Sequence, residues 1–161
     1  SLEGAGSTFW FRATLPASTS VAKVKRERDA KPAVPQDFKA RVLVAEDVET
    51  NRMVIQKMLN SFACQYDLAH NGAEAVKLAA ENAYDLILMD MRMPEMDGFA
   101  ATKAIRAQSD GKCASVPIVA LTAYAVEQFE QECLSAGMND FLTKPLKKES
   151  LGSMLSKWLN R

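Results

Sequence analysis

Several features are scarce in this 161-residue chain. No apolar run approaches the length of a membrane span, and no basic-then-apolar opening marks a signal peptide. The expectation is therefore a cytoplasmic stretch without direct membrane contact. Histidine occurs once, at His70, and cysteine three times, at Cys64, Cys113 and Cys133, with no pair at C-x-x-C spacing. That disfavours a zinc site or a disulfide framework and predicts three reduced thiols. Net charge is zero, with 20 basic against 20 acidic residues. Nothing suggests the basic stripe that nucleic-acid binding needs. What is present, 48% hydrophobic and 25% charged residues, suits a globular domain able to bury a core without staples.

Composition changes near residue 40. Residues 17–39 are rich in charge, serine and proline with little hydrophobic periodicity, and read as a linker. Beyond them short apolar runs alternate with helical stretches. The runs are Val42–Ala45, Tyr66–Ala69, Asp85–Met89, Pro117–Leu121 and Asp140–Leu142. Two of these, DLILM and PIVAL, are nearly continuous hydrophobes, as parallel strands covered on both faces are. The first helical stretch sets Val54, Ile55, Met58, Leu59 and Phe62 on one face. Others are predicted over Ala73–Glu81, Gly98–Ala107, Val126–Ala136 and Lys148–Leu159. Between the third helix and fourth strand, SDGKCAS (Ser109–Ser115) reads as a surface excursion. Five such units make an α/β doubly wound parallel sheet, whose ligands sit beyond the carboxyl ends of the strands.

That rule gathers five polar groups on one rim. Glu46 and Asp47 follow the first run, Asp90 the third, Thr122 the fourth, and Lys144 and Pro145 the fifth. Two like charges about 4 Å apart repel by about 4 kcal/mol at an effective dielectric near 20. A carboxylate cluster therefore holds a proton or a cation. Oxygen donors without soft ligands point to magnesium. A cation, Lys144 and the Thr122 hydroxyl around one carboxylate form a site for phosphoryl transfer to an aspartate. Taken singly, Asp47 and Thr122 would also serve as caps of the following helices, and Lys144 as a surface lysine. Flavin binding would need a Gly/Ser/Thr-rich loop after the first strand, where this loop is acidic. An aspartate-nucleophile phosphatase would need D-x-D-x-T, where this chain has Asp47-Val48-Glu49-Thr50.

The blocks LVAEDVETN, LILMDMRMPEMDGFAATKAIR, PIVALTAY and DFLTKPL resemble the response-regulator receiver family over residues 40–161. The resemblance implies a flavodoxin-like fold with strand order 2-1-3-4-5. It implies Asp90 as phosphoacceptor, and Mg²⁺ (or Mn²⁺) held by Glu46, Asp47, Asp90 and the backbone carbonyl of Arg92. Glu46 stands where many members have aspartate. Thr122 would be the switch hydroxyl, Phe141 the aromatic switch residue, and Lys144–Pro145 a cis bond. Arg92 and Tyr124 would control the lifetime of the phosphorylated state by screening it from water. The rim groups Val48, Asn51, Arg52, Pro145 and Leu146 would dock a histidine-bearing partner. That partner is a kinase dimerisation domain or a histidine phosphotransfer domain. The competing role for Ile55 and Leu146 is to complete the core.

The opening segment carries a second resemblance. Gly4-Ala5-Gly6-Ser7-Thr8-Phe9-Trp10-Phe11 is similar to the end of the ATP-binding domain of sensor histidine kinases. Residues 1–16 are then a remnant of that domain, without the other motifs ATP binding needs. The implied parent is a hybrid sensor histidine kinase with this receiver behind its catalytic domain, on the cytoplasmic side whether or not the parent is membrane-anchored.

Overall fold

The computed structural model describes residues 37–108, 112–123 and 127–160. The expectations placed on residues 1–36 and on Tyr124 lie outside them. Strands and helices alternate as β1 (Arg41–Ala45), α1 (Glu49–Asn60), β2 (Gln65–Ala69), α2 (Gly72–Glu81), β3 (Leu86–Asp90), α3 (Gly98–Arg106), β4 (Ile118–Thr122), α4 (Glu127–Ser135), β5 (Asp140–Thr143) and α5 (Lys148–Leu159). All strand pairs are parallel, and the sheet order is β2-β1-β3-β4-β5. This is the doubly wound architecture the alternating pattern predicts.

Every residue of β3 and β4 is buried, because helices cover the sheet on both sides. Successive side chains alternate between the two layers. On one face Leu43, Ala45, Ile87, Met89, Ile118 and Ala120 join Ala75 and Ala79 of α2, Ala101 and Ile105 of α3, and Cys133 of α4. On the other, Val42, Val44, Leu86, Leu88, Val119 and Leu121 join Ile55 and Leu59 of α1 and Leu151, Met154 and Leu155 of α5. Each fully buried leucine or isoleucine contributes roughly 1.5–3 kcal/mol. The packing begins just ahead of residue 40. The Phe38 N–H donates to the Phe62 carbonyl at 3.0 Å, and the two rings meet edge to face.

Near the amino ends of the strands, charged side chains are satisfied by hydrogen bonds. Asp67 accepts from Arg41 Nη2 at 2.7 Å and from the Tyr84 hydroxyl at 2.9 Å. Arg106 Nε donates to Gly137 O at 2.9 Å, Nη1 to Ala114 O at 2.9 Å and Cys113 O at 3.2 Å, and Nη2 to Asn139 Oδ1 at 2.8 Å. Of the expected surface excursion Ser109–Ser115, residues 109–111 lie outside the described residues; Lys112 and Ser115 are exposed, while Cys113 is fully buried in the core. All three cysteines are buried, and none is in a disulfide.

Candidate functional site

The carboxyl rim is built by close backbone packing. β3 extends to Asp90, which pairs with Leu121, and β4 extends to Thr122, which pairs with Thr143. Both side chains are thereby held on strand backbone at the mouth of the sheet. α3 then starts hard against β3. A Cβ on Gly98 would come within 2.4 Å of the Asp90 carbonyl oxygen, a backbone atom that cannot swing aside. Asp97 caps that helix, its Oδ1 accepting from Ala100 N at 2.8 Å.

The loop after β1 is fixed from α1. Arg52 Nη1 donates to the carbonyls of Glu46 at 2.8 Å and Asp47 at 2.7 Å. Asn51 Nδ2 donates to Glu46 Oε1 at 2.8 Å. Val48 occupies the N-cap of α1 without a side-chain cap bond, so Asp47 is not the cap of that helix, and Thr122 is the last residue of β4. Lys144 follows β5 across a cis bond to Pro145, and its N–H donates to Thr122 O at 2.7 Å.

These elements bring Glu46, Asp47, Asp90, Thr122 and Lys144 together. One donor oxygen from each of the three acids lies within 4.8 Å of the others. Glu46, Asp90 and Thr122 are buried, and Asp47 is the most open of the acids. Lys144 Nζ sits between two carboxylates, 2.6 Å from Glu46 Oε2 and 2.7 Å from Asp90 Oδ2. Three carboxylates against this one ammonium leave the cluster with an excess negative charge of two. Burial pushes the Asp90 carboxyl above the ordinary carboxylate range. Lys144 pulls it back, and the charge of Glu46 adds to the rise. For Lys144, burial acts to lower the pKa, but hydrogen bonds to Asp90 and Glu46 outweigh it and hold the ammonium above its usual range.

The cluster opens into a cleft of about 480 Å³ that Arg92, Asp97, Phe99 and Ala123 also line. The donor set fits a hard divalent cation: oxygen ligands, excess negative charge and an open side at Asp47. The Arg92 N–H donates to Asp90 Oδ1 at 3.3 Å. Phe141 is half-buried against the core cluster that holds Cys133 and Met138. Beside the cleft, Asn51, Val54, Ile55, Lys144, Pro145 and Leu146 line a smaller, mostly apolar groove. Val48 and Val54 are exposed next to it, Ile55 is core, and Leu146 packs partly on the core. Sequence reasoning missed Asp97 and Phe99 as cleft walls. Their positions just after the M-R-M-P turn, where α3 begins, were the available signal.

A parallel sheet in this order with an acidic cluster and a lysine at its carboxyl rim defines a flavodoxin-like signalling module. Residues 42–156 match the response regulator receiver domain model, and the chain belongs to that family. It is 46% identical over 130 residues to hybrid signal transduction histidine kinase B of Dictyostelium discoideum, across 74% of this chain and 7% of that protein. The chain spans between 6% and 18% of the length of the curated kinases and sensor proteins it matches. The receiver domain of sensor histidine kinase PA1611 from Pseudomonas aeruginosa, with a magnesium ion coordinated in its active-site cleft, is similar at a TM-score of 0.70. It is 43% identical, over 76% of this chain and 98% of that one. The Saccharomyces cerevisiae receiver domain of Ssk1, solved with the histidine phosphotransfer protein Ypd1, matches at a TM-score of 0.71. It is 34% identical, over 76% of this chain and 90% of that one. Among the described residues, no helix is long and apolar enough to cross a membrane.

Proposed function

We propose that this receiver takes a phosphoryl group from a phosphohistidine onto Asp90 and switches conformation or passes the group to a histidine phosphotransfer domain. The observation that carries this reading is the buried Asp90 carboxylate, 2.7 Å from Lys144 Nζ and grouped with Glu46 and Asp47. In the reaction an Asp90 oxygen attacks phosphorus. The new P–O bond forms as the P–N bond breaks, and the imidazole nitrogen keeps the electron pair. Glu46, Asp47, Asp90 and the Arg92 carbonyl are the groups assigned to hold Mg²⁺ or Mn²⁺. The bound cation would offset the charge of the phosphoryl oxygens. The magnesium in the PA1611 receiver supports that assignment.

Lys144, already on the carboxylate, can transfer its hydrogen bond to a phosphoryl oxygen. Thr122 shares the cleft and is assigned the switch, with Phe141 following it inward. Arg92 and Tyr124 are assigned to screen the acyl phosphate from water. The groove of Pro145 and Leu146, with exposed Val48 beside it, offers a small apolar contact for the partner's helix. The Ypd1 complex supports a phosphotransfer partner, and a kinase dimerisation domain is the proposed donor. Asn51 and Arg52 use side-chain donors on Glu46 and Asp47, so their part in docking is secondary. Residues 1–16 are assigned to the end of a kinase catalytic domain, 17–39 to a linker, and the parent protein to the hybrid sensor kinases.

The test is incubation with acetyl phosphate and Mg²⁺ followed by mass spectrometry. One added phosphoryl group is expected, lost in Asp90→Asn and suppressed by a chelator. Full labelling of the asparagine variant would overturn the assignment.

A further inference from the structure

Glu46 is fully buried, so both of its oxygens need partners. The structure divides them. Oε2 accepts from Lys144 at 2.6 Å and faces Asp90 across that ammonium. Oε1 accepts from Asn51 Nδ2 at 2.8 Å and from the Val48 N–H at 3.3 Å. Those donors lie at the start of α1, where Val48 provides no cap of its own. The Glu46 carboxylate is therefore held at the helix end that favours negative charge. Glutamate has one more rotatable bond than aspartate and more rotamers to lose. The Val48 contact is long, and the Lys144 ammonium can follow the carboxylate as it turns. The Asn51 amide is the short, directional bond that selects one rotamer.

We propose that Asn51 is a positioning residue for the cation site. It holds Glu46 Oε1 at the helix end, so that only Oε2 is presented to Lys144 and, across it, to Asp90. Asn51 touches neither the phosphoryl group nor the cation and acts through Glu46. This inference rests on the reading of the rim as a Mg²⁺-assisted phosphoacceptor site. It also accounts for the side-chain length at position 46. Replacing Glu46 by aspartate draws the carboxylate back by about one C–C bond, roughly 1.5 Å. That takes it out of hydrogen-bond reach of Asn51.

The experiment is a calorimetric Mg²⁺ titration of the full chain as wild type, Asn51→Ala, Glu46→Asp and the double variant. Asn51→Ala should weaken Mg²⁺ binding about tenfold, as removal of a partner that orients a metal ligand does. In the Glu46→Asp background the same substitution should change affinity by less than about twofold, because the shorter acid has already lost the amide. Asn51→Leu, similar in size but without a donor, should match Asn51→Ala. In the metal-free protein both variants should shift the ¹³C resonance of the Glu46 carboxyl, and both should lower the urea midpoint to a similar extent, because a buried oxygen loses its short donor. Unchanged Mg²⁺ affinity in Asn51→Ala and Asn51→Leu would overturn the proposal. Equal loss in both backgrounds would do so too, since it would mean that Asn51 supports only the helix start. A wild type that binds no Mg²⁺ would overturn the phosphoacceptor reading itself, and this inference with it.

Discussion

The two ends of the sheet use charge in opposite ways. At the amino end, Asp67 is met by Arg41 and Tyr84, Asp140 by Lys157 and Trp158, and Arg106 by four acceptors. At the carboxyl end three acids share one lysine, and burial pushes Asp90 above its ordinary range. The first end is satisfied and binds elements together. The second is left in electrostatic deficit, which a divalent cation and a phosphoryl group can relieve. A fold of marginal stability keeps such a rim only where the rest of the domain offsets its cost.

The largest effect expected on stability is at the joint between the two layers. Gly98→Ala would drive a Cβ into the Asp90 carbonyl and should destabilise the domain by about 3 kcal/mol in urea unfolding, by overpacking against backbone. Because that carbonyl belongs to the phosphoacceptor, Mg²⁺ affinity should fall as well. A loss of stability with unchanged Mg²⁺ affinity would separate the rim from its support.

Arg106→Ala comes next. It removes a donor from four acceptors, of which Asn139 Oδ1 keeps the Ile118 N–H and Cys113 O the Val116 N–H, and should cost about 2 kcal/mol. Mg²⁺ affinity should stay within about twofold, since additivity holds for distant sites. A large loss of Mg²⁺ binding would break the contrast between the two ends.

Asp90→Asn should move stability the other way. The raised pKa of Asp90 means that the folded state holds its proton more tightly than the unfolded chain. Ionisation then destabilises the fold as pH rises through the interval between the ordinary and the raised pKa. At neutral pH and without metal the variant should gain about 1 kcal/mol. The gain should vanish below the ordinary carboxylate range. A variant less stable than wild type at neutral pH would mean that Lys144 outweighs burial.

Thr122→Ala should have a comparably small effect on stability, a loss of about 1 kcal/mol, and should leave phosphorylation by acetyl phosphate intact. The amide shifts that phosphorylation induces around Phe141 should be lost. Identical shifts in wild type and variant would remove Thr122 from the switch.

Much of this was legible in the sequence, for physical reasons. β3 and β4 are covered on both faces, so they read as continuous hydrophobic runs, and the polar residues ending successive strands had to share one rim. Asp90 and Thr122 proved to be the last residues of their strands because ladder pairing continues through them. The Glu46–Asn51 bond and the Arg52 bonds to two carbonyls were not legible, since they depend on rotamers that spacing does not reveal. Nor was the burial of Cys113. Its loop is polar in composition, and the contacts that hold Cys113 in the core, from its Sγ to Asn82 O at 3.4 Å and from Arg106 to its carbonyl at 3.2 Å, are not visible in spacing. Gly98 was visible as a residue, but its contact with the Asp90 carbonyl emerges only from how closely α3 approaches β3.

The most direct test of the contrast is the unfolding free energy of wild type and Asp90→Asn over a range of Mg²⁺ concentrations at neutral pH. A cation that binds only the folded rim should stabilise wild type by about 1.4 kcal/mol for each tenfold rise in Mg²⁺ above the dissociation constant. The asparagine variant should start higher without metal and respond far less. Parallel slopes in the two proteins, or no slope in wild type, would contradict the claim that the deficit at Asp90 is the cation site.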